Sequence, residues 1–480
     1  MTYPAVIFWF LFLKAAVSRQ QTLLLMLFAS FTFGSLAVLP PEVTAGSSFV
    51  PKTMFALLLV MKVLVPTLLT RSSLVLELAS LKNLGFLFAF LAVSLITTIF
   101  VPSFLADTIS VVPLKSLGFA STEPLRPSQG NITQSIYLSV SVAVAAATAL
   151  IARSPPFPGQ LLLAVLVGGI TLLTSGLIDM FASAAGLASL LDPFRNAGYA
   201  MITNAEVLGV RRVVGLMPEA SSYGSSCVAF ASALAFLRPL YAPGPARMVA
   251  SSTAVALIGM ALLSTSSSAY AGLAIFSVAY AINLVRRIAN FSAIGHTGLA
   301  IEFVVGLIAV VSILMALLLQ PELFDPLLRL VDEIIFNKAM SNSFVERSFW
   351  NQVGWNALFS SYGLGVGLGA TRASNYFVAV ISNTGLIGGG CFFIFLLQTM
   401  LRRSYGLPQS RELVTALKFT IIPSLGMAAL GSATPDFEPW LAIIFGAITG
   451  ISLQSGRARS NSSRLELLKS QPGIPTANPP

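Results

Sequence analysis

Three short stretches hold the polar residues best suited to chemistry in this apolar chain: GVRRVVGLMPEASSYG at 209–224, ERSFWNQVGWNALF at 346–359 and GLGVGLGATRASNY at 363–376. The first contributes Arg211, Arg212 and Glu219. A guanidinium presents fixed, forked donors that match phosphate or carboxylate oxygens. Beside a membrane, the anions within reach are lipid headgroups and a lipid-linked pyrophosphate. A lipid-phosphate anchor, or an ion pair with Glu206, is the structural alternative. Glu219 follows Pro218 at the mouth of an apolar run. A carboxylate partly withdrawn from water can exchange a proton near neutral pH. It also suits the positive end of a helix dipole, and the two roles are compatible.

The second stretch places Glu346 and Arg347 four and three residues before Trp350, with Trp355 beyond. Tryptophan faces stack on sugar rings, and they also mark membrane interfaces. Glu346 and Arg347 can equally form a solvated pair. In the third stretch Gly363, Gly365, Gly367 and Gly369 alternate, and Arg372 follows where it can meet an anion. Neither a dinucleotide fingerprint nor a lysine-bearing phosphate loop fits this spacing. Glycine at every second position permits a tight backbone that approaches a ligand or re-enters the membrane surface. Gly385, Gly388, Gly389 and Gly390 suit helix packing. Lys62 falls mid-span, where a charge is either functional or snorkelling.

These groups need a scaffold, and the composition defines it. Apolar residues make up 55% of 480 positions and charged residues 10%, whereas soluble domains carry about a quarter. The apolar residues come in continuous runs of about 18–24, the length of a membrane-crossing helix. Alternation, the mark of a barrel strand, is missing. The expected fold is all-α: a polytopic membrane bundle of about twelve spans. The spans fall near 21–39, 54–70, 84–105, 133–152, 159–180, 221–241, 246–266, 268–285, 299–319, 374–400, 412–432 and 437–455. Basic residues recur in alternate connections: Lys14 and Arg19, Arg71 and Lys82, Arg153, Arg238 and Arg247, Arg286 and Arg287, and Arg402, Arg403 and Arg411. By the positive-inside rule that side is cytoplasmic, and so are both termini. The net charge of +10 is therefore a topology signal and not a nucleic-acid footprint.

The opposite side carries the long connections 106–132, 181–219 and 320–373, the last a large loop between the ninth and tenth spans. Leu323, Leu327, Leu328, Val331, Ile334 and Ile335 recur there at helical spacing, as in a surface amphipathic helix. One membrane domain is expected over 1–455, with a disordered cytoplasmic tail over 456–480. Residues Pro4–Leu13 are too short to span and read as an interfacial helix rather than a cleaved signal. His296 is the only histidine, and Cys227 and Cys391 lie inside apolar runs. These residues offer neither a histidine metal site nor a disulfide framework.

Taken in order and by membrane side, RRVVGLMPEASSYG, ERSFWNQVGWNALF, GLGVGLGATRASNY and NTGLIGGG resemble the O-antigen ligase and polymerase superfamily. The resemblance implies a multi-span glycosyltransferase of the bacterial inner membrane that uses no metal or other cofactor. Its substrates would be sugar chains on undecaprenyl pyrophosphate, joined at the periplasmic face among membrane lipids. A chain-length regulator and a flippase are the implied partners. The arginine before the mid-chain span corresponds to Arg212, and that of the large loop to Arg347. The ligases carry a histidine after the glycine-rich turn; this chain has Ser374 and Asn375. That departure favours a polymerase of O-antigen or exopolysaccharide repeats. Glu219, Arg212 and Arg347 would then be catalytic, and Arg211, Arg372, Trp350 and Glu346 would bind substrate. A ligase, or a transporter of lipid-linked sugars, is the alternative.

Overall fold

The structure, a computed structural model, describes residues 2–39, 48–114, 121–199, 201–203, 206–207, 210–289, 342–404 and 406–469. Two short apolar helices come first, α1 (Tyr3–Val17) and α2 (Gln20–Ser30). A rod over Pro51–Thr70 follows, made of α3 (Pro51–Leu59), a π-turn and α4 (Val65–Thr70), and then α5 (Ser72–Leu78). Next come α6 (Gly85–Phe104), α7 (Gln129–Ile151), α8 (Phe157–Ala184), α9 (Ala220–Leu237), α10 (Pro245–Leu263) and α11 (Ser267–Ala289). The later helices are α12 (Asn342–Ser360), α13 (Tyr376–Leu401), α14 (Pro408–Gly431) and α15 (Glu438–Lys469). Among the described residues nine helices are long and apolar enough to cross a membrane. The protein is a multi-pass membrane protein, mostly helical, with two two-stranded hairpins as its only sheet among those residues. The hairpins are β1 (Ser110–Val111) with β2 (Glu123–Pro124), and β3 (Glu206–Val207) with β4 (Val210–Arg211).

Several elements differ from expectation, each for a local reason. The run over 21–39 makes an eleven-residue helix only. Past Ser30 the backbone turns to bond elsewhere: Ser35 N–H donates to Leu216 O at 3.1 Å, and Asn196 bonds both polar groups of Ala37. Lys62 sits in the π-turn and donates to Ala15 O and Ser18 O, at 3.0 and 2.7 Å, capping the end of α1. The stretch with Arg347 and Trp350 is helical (α12), and α15 runs past 456 to Lys469. The span at 299–319, the amphipathic pattern at 323–335, His296 and the last residues of the tail lie outside the described residues.

Cross-links between helix ends define two faces. On one, the starts of α3, α9, α11, α13 and α15 meet the ends of α10 and α14. Lys52 reaches Glu438, Ser225 lies 3.4 Å from Ser268, Arg212 bonds Ser264 O and Tyr376 bonds Pro435 O. On the other, Arg402 bonds Lys82 O, Arg153 pairs with Glu77, and Arg286 pairs with Glu412.

Two glycine devices set the positions of helices around the first face. Gly446 and Gly450 lie one turn apart on α15; a Cβ on either would come within 2.3 Å of Ala145 O or Ala149 O of α7. Small residues at this spacing let two backbones touch, which fixes the start of α15 beside Tyr137 and Ser141. The alternating glycines form a second lock. Gly363, Gly365, Gly367 and Gly369 all have φ between 74° and 94°, a region open to glycine. Val366 and Leu368, between them, are fully buried. Helix α13 breaks at Gly385 (φ 73°, ψ 179°), and the glycine loop enters the break. Val366 N–H and Gly367 N–H donate to Ser382 O and Asn383 O, both at 2.9 Å, and Leu386 N–H donates to Gly363 O. The loop approaches another piece of backbone, not an open ligand site.

Candidate functional site

Below the first face lies a polar cavity in two lobes, of about 340 and 440 Å³. Lys52, Ser222, Ser225, Ser226, Asp436 and Glu438 form a shared wall between them. The first lobe adds Glu219, Arg347, Ser268, Ser424, Tyr376 and Trp440; the second adds Tyr137, Ser141 and Tyr199. Ser424 lies seven residues inside the end of α14, so the first lobe extends about 10 Å below that end. Ser222, Ser225 and Ser226 fall at i, i+3 and i+4 on α9, so one helical stripe delivers three hydroxyls to the cavity. Serine hydroxyls beside aromatic rings are the surface that a glycan's hydroxyls and apolar ring faces require.

The charged groups differ in how far their partners engage them. Lys52 Nζ lies 2.6 Å from Glu438 Oε2. Glu438 has φ 57°, an unusual conformation for a non-glycine residue. Its backbone N–H donates to Asp436 Oδ1 at 3.2 Å. Glu219, the cap of α9, accepts a short hydrogen bond from the Ser221 hydroxyl. Arg347 lines the cavity, and no hydrogen bond or ion pair engages its guanidinium among the described residues. Asp436 is surrounded by protein yet half-exposed to the cavity. Burial is the main cause that holds its carboxyl up at about 6; a hydrogen bond from Ser141 opposes this, the negative charge of Glu438 adds to it, and the Glu438 backbone N–H and Lys52 oppose it further.

The other expected site residues lie around this cavity and do not line it. Arg212 Nε donates to Ser264 O at 3.1 Å. Burial lowers the Arg212 pKa, and the negative charge of nearby Glu219 opposes that fall. Arg372 stacks on Trp350, its Cζ 3.6 Å from the ring centroid. Burial lowers the Arg372 pKa too; Glu346 raises it and Arg347 lowers it further. Trp350 therefore serves Arg372 as a cation–π platform. Arg211 is taken up by the fold. It reaches Asp179 Oδ1 at 3.3 Å, where Arg195 also bonds at 3.0 Å. The other oxygen, Asp179 Oδ2, accepts the backbone N–H groups of Val214 and Gly215 at 2.9 and 3.1 Å. This buried carboxylate holds the whole 211–215 segment, and with it the approach to Glu219.

The sequence does not single out Lys52, Asp179, Asp436, Glu438 or the base of the cavity. Two signals were present: the serine stripe on α9, and Asp179 as a lone carboxylate in an apolar run, which is functional or structural by default. No protein-family model matches the chain, and no curated protein matches it.

Proposed function

We propose that the protein is a metal-independent membrane glycosyltransferase. It joins oligosaccharide repeat units carried on undecaprenyl pyrophosphate into O-antigen or exopolysaccharide, on the periplasmic side of the bacterial inner membrane. The observation that carries this reading is the Arg347 guanidinium, without a hydrogen bond or ion pair among the described residues, facing a hydroxyl-lined cavity that also holds carboxylates. The basic connections gather on the opposite face, so the positive-inside rule puts the cavity on the outer side and both termini in the cytoplasm.

In the reaction, an acceptor hydroxyl attacks the anomeric carbon of the donor sugar. The new C–O bond forms as the bond to the pyrophosphate breaks, and the leaving group keeps the electron pair. Arg347 stabilises that developing charge, with Arg212 and Arg372 adding to the local positive potential. A cavity carboxylate takes the hydroxyl proton; Glu219 was the sequence candidate, and Asp436 and Glu438 stand beside it. Lys52 and the serines orient the glycans.

A transporter of the same lipid-linked sugars is the second reading, favoured by the break in α13. In transporters such a break exposes backbone to cargo; here the glycine loop already occupies it. The test is a gel of surface polysaccharide from cells that carry Arg347→Ala as their only copy. Single repeats at normal protein level are expected. A normal ladder would overturn the proposal, stored polymer lacking its final attachment would indicate a ligase, and repeats held on the cytoplasmic leaflet a flippase.

A further inference from the structure

We infer that the second lobe is the acceptor subsite and that Asp436 is the residue that takes the proton from the acceptor hydroxyl. This rests on the glycosyltransferase reading and deepens it. Two glycans must meet in one place, and the cavity has two chambers with one common wall. Arg347, the group suited to the leaving pyrophosphate, lines the first chamber only. Tyr137 and Tyr199 line the second only, each tied by its hydroxyl to a backbone carbonyl, Ser48 O and Gly34 O. Fixed aromatic walls, with the chamber's lysine, Lys52, already paired with Glu438, suit a neutral sugar. Ser141 lines the same chamber, is 1% exposed, and its hydroxyl acts on the Asp436 carboxyl as a hydrogen-bond donor.

Asp436 stands in the shared wall, where an acceptor hydroxyl from one chamber would meet a donor carbon in the other. Glu438 pairs with Lys52 and Glu219 accepts from Ser221, whereas Asp436 accepts from the Glu438 backbone N–H and the Ser141 hydroxyl and forms no ion pair among the described residues. Around Asp436 are Lys52 of α3, Glu438 of α15, Tyr137 and Ser141 of α7, Tyr376 of α13, Tyr199, and the serines of α9. Arg347 and Glu219 line the first chamber with it, and Lys52, the cation that acts on its carboxyl, is held by Glu438. The step balances: the acceptor O–H gives its proton to the Asp436 carboxylate as oxygen bonds the anomeric carbon, and the pyrophosphate departs with the electron pair. Asp436 then returns the proton to cavity water. Its raised proton affinity, about 6, fits a base working near neutrality.

The experiment measures polymer formation from extracted lipid-linked repeats by the full-length protein in vesicles, between pH 5 and pH 8. Wild type should lose rate as pH falls below about 6, because protonated Asp436 cannot accept a proton. Asp436→Asn should fall about a hundredfold or more and lose that acid limb. Asp436→Glu should recover part of the rate and retain an acid limb. Glu219→Gln should keep the limb whatever its rate. Unchanged melting and wild-type elution of each purified variant exclude misfolding; if Asp436→Asn fails that control, the Asp436→Glu limb decides. A polymerising Asp436→Asn with the wild-type limb, or a Glu variant with no limb, would overturn this inference and leave the glycosyltransferase reading intact. No polymer from wild type would overturn both.

Discussion

The two faces of this protein use the same cations in opposite ways. On the basic face, several arginines are absorbed by helix ends. Arg402 donates to Lys82 O and Asn83 O at 2.6 and 3.1 Å, and Arg247 to Tyr241 O at 2.8 Å. Arg153 and Arg286 pair with Glu77 and Glu412. Helix C-termini carry unpaired carbonyls and negative dipole ends, so cations there serve architecture. On the cavity face Arg347 has no such partner, and Asp436 forms no ion pair, among the described residues. A guanidinium that the fold has not satisfied is the one left to bind a ligand.

Asp179 tests this distinction most severely, because it is an architectural cluster on the cavity face. Asp179→Ala leaves Arg195 and Arg211 buried without their shared carboxylate, at a cost of about 3–5 kcal/mol. Protein level and thermal unfolding should both fall sharply. If stability holds and only activity is lost, the cluster belongs to the site and the comparison fails. Gly385→Ala comes next. Its Cβ would approach Leu364 O at 2.3 Å in a backbone conformation reserved for glycine. A loss of about 2–4 kcal/mol is expected in thermal unfolding of the purified protein. An unchanged melting temperature would show that the glycine loop does not lock the break. The smallest effect belongs to Arg126, paired with Asp107 at 2.6 Å in full solvent. Arg126→Ala should shift neither melting nor polymer output.

The membrane-crossing helices were legible because lipid demands long apolar runs and leaves a signal in every one. The first expected span was not, because Asn196 and Leu216 pull 31–39 out of helix, and no local pattern encodes a bond across the fold. The motif arginines were found, but their roles were not separable. Arg211 and Arg212 are neighbours in sequence, yet one serves Asp179 and the other leans toward Glu219. The Lys52–Glu438 pair is 386 residues apart in sequence, so nothing short of the folded bundle brings it together. Alternating glycines were read as backbone permission, which is right, while the partner they admit is the chain itself.

The most direct test of the central claim is binding of an isoprenyl pyrophosphate to the purified full-length protein, comparing wild type, Arg347→Ala and Arg402→Ala. Arg347→Ala should weaken binding about tenfold to a hundredfold, the worth of one charge-assisted contact, while Arg402→Ala should bind as wild type. Equal losses in both variants, or none in Arg347→Ala, would contradict that claim.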